Sequence, residues 1–154
     1  MIEEKLKSRG IDLSTPIQPL GAYSPVIISG NLAFVSGQIA IENGKQSKEV
    51  KYKGKVGKDI TVEDAKRAAE LCAINCLIQL RAVLGDLEKI RKIVKVSGFV
   101  NCNASFMDHP TVVNGASEFL VQVFGESGRH ARIAVGASSL PKNSCTEIDM
   151  IVEV

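Results

Sequence analysis

The segment from Thr61 to Leu84 is the part of the chain that most constrains the fold. Small and apolar residues recur there at spacings of three and four, and charged residues lie mostly off that stripe, which is typical of an amphipathic α-helix. Thr61, with Asp64 three residues later, provides an N-terminal cap, and Gly85 ends the helix. At 1.5 Å per residue the helix extends about 36 Å. It is therefore long enough to cover one face of a β-sheet.

The segments around this helix predict the sheet and a second long helix. Residues 26–29 and 32–41 form two apolar runs joined by Gly30-Asn31, which indicates a β-hairpin with a two-residue turn. Residues 93–101 alternate as a third strand. Residues 110–124 predict the second helix, with a proline in its first turn and a glycine at its end. A further one or two helical turns are expected in residues 2–9.

The C-terminal segment, residues 129–154, predicts a second hairpin with its turn at residues 140–143. The order of elements is then β-β-α-β-α-β-β. This is an α+β domain, residues 1–154, with both long helices on one face of the sheet. The other face has no helix to cover it, so we expect subunits to associate through it.

Two charged residues of this predicted hairpin are candidates for chemistry. Pairing residues 139 and 144 places Arg132 opposite Ile151 and Glu147 opposite Gly136. Arg132 and Glu147 then share a face but lie four residues apart, about 13 Å. A site that uses both needs a ligand between them or groups from another subunit. Arginine suits a carboxylate or phosphate, and a carboxylate that accepts a proton suits activation of water.

Composition narrows the class of protein. The net charge is +2 and the pI about 8.3, too mild a basic balance to indicate nucleic acid by itself. No apolar run reaches the roughly 18 residues of a membrane span, and the N-terminus is not a signal peptide. The four cysteines lack metal-type spacing and are expected to be free thiols, so we expect a cytoplasmic protein without a metal. We expect His109 and His130 to have ordinary surface or capping roles.

A lysine-rich stretch at residues 42–59 has two interpretations. It could be a basic finger for phosphates or a solvated loop, and interspersed acidic residues favour the loop. Only Tyr52 could stack on a base. The lysines concerned are Lys45, Lys48, Lys51, Lys53, Lys55 and Lys58.

Six short strings, in one order along residues 17–153, resemble the Rid (YjgF-like) family of reactive intermediate deaminases, also described as endoribonucleases or translation inhibitors. They are Gly21-Ala22-Tyr23, Ser36-Gly37-Gln38, Val113-Asn114, Arg132, Leu140-Pro141-Lys142 and Glu147-Ile148-Asp149. The resemblance implies a chorismate-mutase-like fold and a homotrimer with clefts between subunits. It also implies hydrolysis of 2-imino or 2-enamino acids to 2-keto acids and ammonia, without a cofactor.

The resemblance also implies roles for individual residues. Arg132 matches the arginine that holds the substrate carboxylate, and Glu147 the glutamate thought to position or activate water. Tyr23 and Asn114 match cleft-lining residues, and Gly37 matches a backbone contact to the substrate.

The chain departs from the family pattern after Arg132. The family arginine is usually followed by Ser-Cys or Ser-Val, whereas here Ile133-Ala134 follows. Ala134 could keep a backbone contact but not the cysteine side chain. The N-terminal extension and the lysine-rich loop also indicate a longer subgroup, for which the resemblance fixes neither the substrate nor the activity. Two alternatives therefore stay open beside the deaminase, a non-catalytic trimer that binds keto acids or related carboxylates, and an RNA-binding protein or ribonuclease.

Overall fold

A computed structural model describes residues 1–42 and 49–154. One five-stranded sheet is present in this part of the chain, with the strand order β1-β2-β5-β3-β4. The helices are α1 (Ile2–Ser8), α2 (Val62–Leu84) and α3 (His109–Phe124), and the strands are β1 (Val26–Ser29), β2 (Leu32–Ile39), β3 (Lys92–Asn101), β4 (Ala131–Ala137) and β5 (Thr146–Glu153).

The first hairpin and both long helices are confirmed. β1 and β2 pair in antiparallel register across Gly30, whose φ of 61° suits the tight turn. The Thr61 hydroxyl accepts a hydrogen bond from the Asp64 amide at 3.1 Å, and Gly85 ends α2 in the left-handed conformation. α2 packs on β2 and β5, and α3 packs on β3 and on α2. Both helices therefore cover the same face of the sheet, as predicted.

The predicted C-terminal hairpin is wrong. β3 lies between β4 and β5, parallel to β4 and antiparallel to β5. The short helical turn Pro141–Asn143 carries the chain across the end of β3, where the Asn101 side chain donates to the Ser144 carbonyl. A direct β4–β5 hairpin would leave the backbone of one edge of β3 unpaired. Pairing on both edges satisfies that backbone inside the sheet.

The new strand order also changes which side chains share a face. Arg132 pairs with Val96 and lies on the face that the helices cover, whereas Glu147 pairs with Phe99 on the open face. The prediction that Arg132 and Glu147 share a face is therefore wrong, as are the pairings Arg132–Ile151 and Glu147–Gly136. The alternation within each strand was right, but the strand partners decide which alternating sets coincide.

The open face of the sheet carries more apolar side chains than the sequence predicted. Ile27, Phe34 and Ile133 project from it with exposed fractions of 54%, 42% and 47%. Phe99 and Ile151 contribute to the same face. Arg132 lies instead on the helix-covered side, together with Ala134 and Gly136. Ile27, Phe34 and Ile151 are neighbours across β1, β2 and β5, and exposed apolar side chains grouped in this way are typical of an interaction site.

The N-terminal extension packs onto the helix layer. α1 confirms the predicted helical turns, and Leu6 is fully buried in the core. Lys5 Nζ donates to the Val123 carbonyl at 3.2 Å, and Glu3 forms an ion pair with Arg81 at 3.4 Å. The extension is thus part of the folded unit.

The lysine-rich stretch is tied to the fold where the structure describes it. Lys55 Nζ donates to Asn101 Oδ1 at 2.8 Å and to the Ser138 carbonyl, and Lys51 lies 5.3 Å from the centre of the Tyr52 ring. Lys45 and Lys48 lie outside the described residues. Lys51 and Lys55 are therefore not part of a free basic finger, and Lys55 is held more firmly than a solvated loop would require.

Three further features concern membrane spans, cysteines and metal sites. None of the described helices is long and apolar enough to cross a membrane. All four cysteines are buried and free. Within residues 1–42 and 49–154, no cluster of three or more His, Cys, Asp or Glu side chains could hold a metal ion.

Candidate functional site

Glu147 lies against a break in the neighbouring strand. The β2–β5 pairing shifts register between Val35 and Gln38, which places Ser36-Gly37 in a bulge. A Cβ atom at position 37 would collide with the Glu147 carboxylate, so only glycine leaves room for it. The bulge and the glycine together set the position of the Glu147 side chain.

Glu147 opens into a cavity of about 530 Å³, which we call the glutamate pocket. Tyr23 and Gly37 also line it, so three of the six predicted site residues meet here. The other walls are mostly apolar: Ile17, Pro19, Leu20, Ile39, Ile41 and Pro141. A pocket with mainly apolar walls and a few polar groups is the usual form of a small-molecule site.

Polar contacts hold the irregular segment 17–25 over the pocket. The Gln79 amide, on α2, donates to the Ile17 carbonyl. Ser36 donates twice, from its hydroxyl to the Ser24 carbonyl at 2.7 Å and from its amide to the Pro25 carbonyl at 2.9 Å. Gln79 was not among the residues predicted from the sequence. A buried glutamine within an apolar helix was the available signal, because a buried amide needs a partner.

The environment of Glu147 favours proton uptake. The side chain is half-buried, and burial raises the pKa of its carboxyl group. The like charge of Asp149, two residues along the same strand, raises that pKa further. A carboxylate with a raised pKa is a better proton acceptor than an ordinary one.

Arg132 lies in a separate cluster beside α3, which we call the arginine cluster. Its Nη1 donates to Asn114 Oδ1 at 2.8 Å and to Ser117 Oγ at 3.2 Å, and its Nη2 donates to the Pro110 carbonyl at 3.4 Å. An arginine has five N–H donors. With three engaged by described residues, the Nε proton and one Nη2 proton are available to an anion.

His130 completes this cluster through Ser117. His130 Nδ1 lies 2.6 Å from the Gly128 carbonyl, which only accepts, so Nδ1 carries the proton. Nε2 then accepts from the Ser117 hydroxyl at 2.9 Å. Burial lowers the pKa of His130 against the raising effect of the Gly128 hydrogen bond, and Arg132 lowers it further. His130 therefore holds Ser117 against Arg132, a function that the predicted surface or capping role did not include.

Ala134 lies two residues beyond Arg132 on the same face of β4. Its side chain packs against the core, and Gly98, its partner on β3, is covered closely by Val113 of α3. β4 is an edge strand, with β3 as its only strand partner among the described residues. The outer edge of its backbone can therefore accept a ligand or another chain.

The two clusters do not converge within one chain. From Glu147 the register crosses Phe99 of β3 to Val135 of β4, and Arg132 lies three residues further along. Two strand spacings and three residues separate the Cα atoms by about 14 Å. Because the side chains also leave opposite faces, Arg132 and Glu147 cannot both contact one small molecule in a single chain. Asn114 and Ala134 lie with Arg132, and Tyr23 and Gly37 lie with Glu147.

The chain is thus a small α+β protein with two separate half-sites, one of which borders a cavity beside Glu147. The family model described as "YjgF/chorismate_mutase-like, putative endoribonuclease" matches residues 3–154. The chain belongs to this YjgF/RutC family, which confirms the resemblance noted in the sequence.

Relatives of known sequence span almost the whole chain. Protein TCP17 of Trypanosoma cruzi is 37% identical and is matched over 99% of this chain and 94% of its own length. The 2-iminobutanoate/2-iminopropanoate deaminase of Dermatophagoides farinae is 30% identical, over 92% of this chain and 94% of its own.

Solved structures agree with the fold. Atu1372 of Agrobacterium tumefaciens, a protein of unknown function, is 49% identical with a TM-score of 0.88, over 99% of this chain and 92% of its own. A "putative endoribonuclease" of Shewanella oneidensis is 32% identical with a TM-score of 0.92, over 100% and 99%. Escherichia coli YjgF, 23% identical with a TM-score of 0.65 over 92% and 94%, supports the fold alone.

The contact between Gly37 and Glu147 predicts an energetic coupling. Gly37→Ala should lower the free energy of unfolding by about 1 kcal/mol, at the low end of the cost of overpacking, because the added methyl group displaces the Glu147 carboxylate, which is the end of a flexible side chain. In the Gly37→Ala/Glu147→Ala double variant the collision is absent, so its loss should fall short of the summed single losses by at least about 0.5 kcal/mol. Denaturant unfolding at one fixed protein concentration measures all four proteins. Additive losses would contradict the contact.

Proposed function

We propose that the protein hydrolyses reactive 2-imino or 2-enamino acids to 2-keto acids and ammonia. The active site joins the glutamate pocket of one protomer to the arginine cluster of a neighbour in a homotrimer. The separation of Arg132 from Glu147 is the observation that supports this assembly, because each group is held by its own neighbours yet the two cannot meet in one chain.

Arg132 is the proposed clamp for the substrate carboxylate. Asn114, Ser117 and the Pro110 carbonyl fix its guanidinium, and its remaining donors face no described protein partner. A planar guanidinium binds a carboxylate through paired N–H···O bonds, which set the orientation of the substrate as well as its affinity. Holding the substrate in this way places its imine carbon at the water that Glu147 activates.

Glu147 is the proposed general base. It takes a proton from water as the water oxygen adds to the imine carbon. That proton then passes to the substrate nitrogen and gives a carbinolamine. The hydroxyl proton of the carbinolamine is transferred to the nitrogen through Glu147 as the carbon–nitrogen bond breaks, so that ammonia leaves and the carbonyl forms. The raised pKa of Glu147 favours the first transfer. Tyr23 and the Gly37 backbone border the same space and are proposed to bind the substrate.

The surface of the protomer supports association. The apolar open face carries Ile27, Phe34 and Ile133, which water would otherwise contact. β4 has an outer edge on which another chain can pack. The relative from Dermatophagoides farinae, which bears the name of an iminobutanoate and iminopropanoate deaminase, supports the reaction class.

The two other functions left open by the sequence have weaker support. For RNA binding, Lys55 is occupied by Asn101 and Ser138, and Lys51 lies beside Glu42 and over Tyr52. For a non-catalytic binding protein, the replacement of Ser-Cys by Ile133-Ala134 is the motivating feature. Saturable binding of 2-keto acids without turnover of any imine would favour that function over the deaminase.

The arginine clamp predicts the effect of two substitutions. With imino acids made in situ by an amino acid oxidase, Arg132→Ala should lower kcat/KM for ammonia release about 100-fold, because the substrate carboxylate loses a charged, paired donor. Arg132→Lys should also have a low kcat/KM, since the lysine ammonium is a single point charge and cannot form the paired hydrogen bonds. Arg129→Ala, three residues earlier and exposed, is the matched control and should keep its rate. An unchanged rate in Arg132→Ala would exclude the clamp.

The base assignment predicts a pH dependence. Since only ionised Glu147 accepts a proton, kcat should rise with pH through a pKa above the ordinary glutamate value of 4.5. Asp149→Asn should move this limb to lower pH, because it removes a like charge that raises the Glu147 pKa. Glu147→Gln should lower the rate at every pH. A limb that stays in place in Asp149→Asn, or that survives in Glu147→Gln, would contradict the assignment.

A further inference from the structure

We infer that the preferred substrate carries a large apolar side chain, of the branched-chain or aromatic kind. This inference rests on the proposed function and concerns the part of the glutamate pocket that the reaction itself leaves empty. Every 2-imino acid has the same carboxylate and imine carbon, which Arg132 and Glu147 would hold. Whatever else lines the pocket therefore meets the substrate side chain.

The size of the pocket exceeds what a small imino acid needs. Its volume of about 530 Å³ lies within the range of roughly 300–1,000 Å³ that is typical of sites for drug-sized ligands. An imino acid with a methyl or ethyl side chain would leave most of that space to water. A leucine-like or phenylalanine-like side chain would displace the water from apolar walls.

The chemistry of the walls favours an apolar group. Ile39 and Ile41 form a floor that is only 6% and 4% exposed, and Leu20 lies at the rim. Two further apolar residues, Ile17 and Pro19, line the wall formed by the irregular segment before β1. Each methylene that such a surface takes from water strengthens binding by about fourfold.

Three of the polar side chains that line the pocket already donate to carbonyl groups of the protein. The Gln79 amide donates to the Ile17 carbonyl, the Gln38 amide to the Ser36 carbonyl at 3.1 Å, and the Ser36 hydroxyl to the Ser24 carbonyl. A polar substrate side chain would have to compete for these groups. Among the described lining residues Glu147 alone is charged, so an acidic side chain would be repelled, and a basic one would neutralise the base.

The test compares imines of different size in the same assay. The imines are made in situ from alanine, leucine, phenylalanine and glutamate, and the rate above spontaneous hydrolysis is measured for each. We expect kcat/KM for the leucine and phenylalanine imines to exceed that of the alanine imine at least about 10-fold, with the glutamate imine slowest. The full methylene effect is reduced because the pocket is open to solvent.

A variant at the rim ties the preference to the pocket. Leu20→Ser should lower the ratio of leucine-imine to alanine-imine kcat/KM about 3- to 10-fold. Val83→Ser is the matched control, because Val83 is similarly exposed at 48% but does not line the pocket, and both its rates should be unchanged.

The outcomes separate this inference from the proposed function. If no imine is hydrolysed, the proposed function fails. If imines are hydrolysed but the alanine imine is preferred, or if Leu20→Ser leaves the ratio unchanged, the inference is wrong while the proposed function stands. A change in the molar mass of Leu20→Ser in solution would overturn it as well, because the rim would then be a contact between subunits.

Discussion

The position of β3 between β4 and β5 is the constraint on which the candidate site depends. Because Arg132 pairs with Val96 and Glu147 with Phe99, which point to opposite faces of β3, Arg132 comes to lie under α3 while Glu147 faces away from the helices. A hairpin of β4 and β5 would have brought the two residues to one face. The sheet instead separates the two charged groups that the proposed reaction needs.

Different contacts hold the charged side chain of each half-site in place. On the Glu147 side, a β-bulge with Gly37 admits the carboxylate, and Gln79 and Ser36 hold a loop over it through carbonyl groups. On the Arg132 side, a neutral His130 accepts from Ser117, and Ser117 in turn accepts from the guanidinium. The positions of both groups are thus fixed before any ligand binds, which lowers the cost of orienting a substrate.

Local patterns in the sequence predicted the local elements well. The cap at Thr61, the turn at Gly30-Asn31 and the ends of both long helices follow from residues that are close in the chain, and the structure confirms them. The order of the strands was not predictable in this way, because β4 and β5 both alternate and are joined by a short turn, as hairpin strands are. Their separation by β3 depends on the pairing of β4 with β3, a segment about thirty-five residues earlier in the chain. The periodicity of a segment gives no information about such distant pairing.

The residues of the candidate site were likewise predictable only in part. The resemblance to the family pointed to Arg132, Glu147, Tyr23, Gly37, Asn114 and Ala134, and the structure gathers them into two groups of three. Ser117 was not predicted, since a serine on a helix has no signature until its partner is known. Gln79 could have been noticed as a polar residue in an apolar helical stretch, but the sequence did not identify its partner. Their roles depend on contacts with His130 and with Ile17, residues thirteen and sixty-two positions away.

The claim that the site is assembled from two protomers has a direct test. Arg132→Ala and Glu147→Gln should each be inactive alone. When the two are unfolded together in equal amounts and refolded, random assembly gives about one site in four an intact Arg132 from one protomer and an intact Glu147 from its neighbour. The mixture should then regain about a quarter of the wild-type rate of imine hydrolysis. A mixture that stays as inactive as its two components would contradict a site shared between protomers.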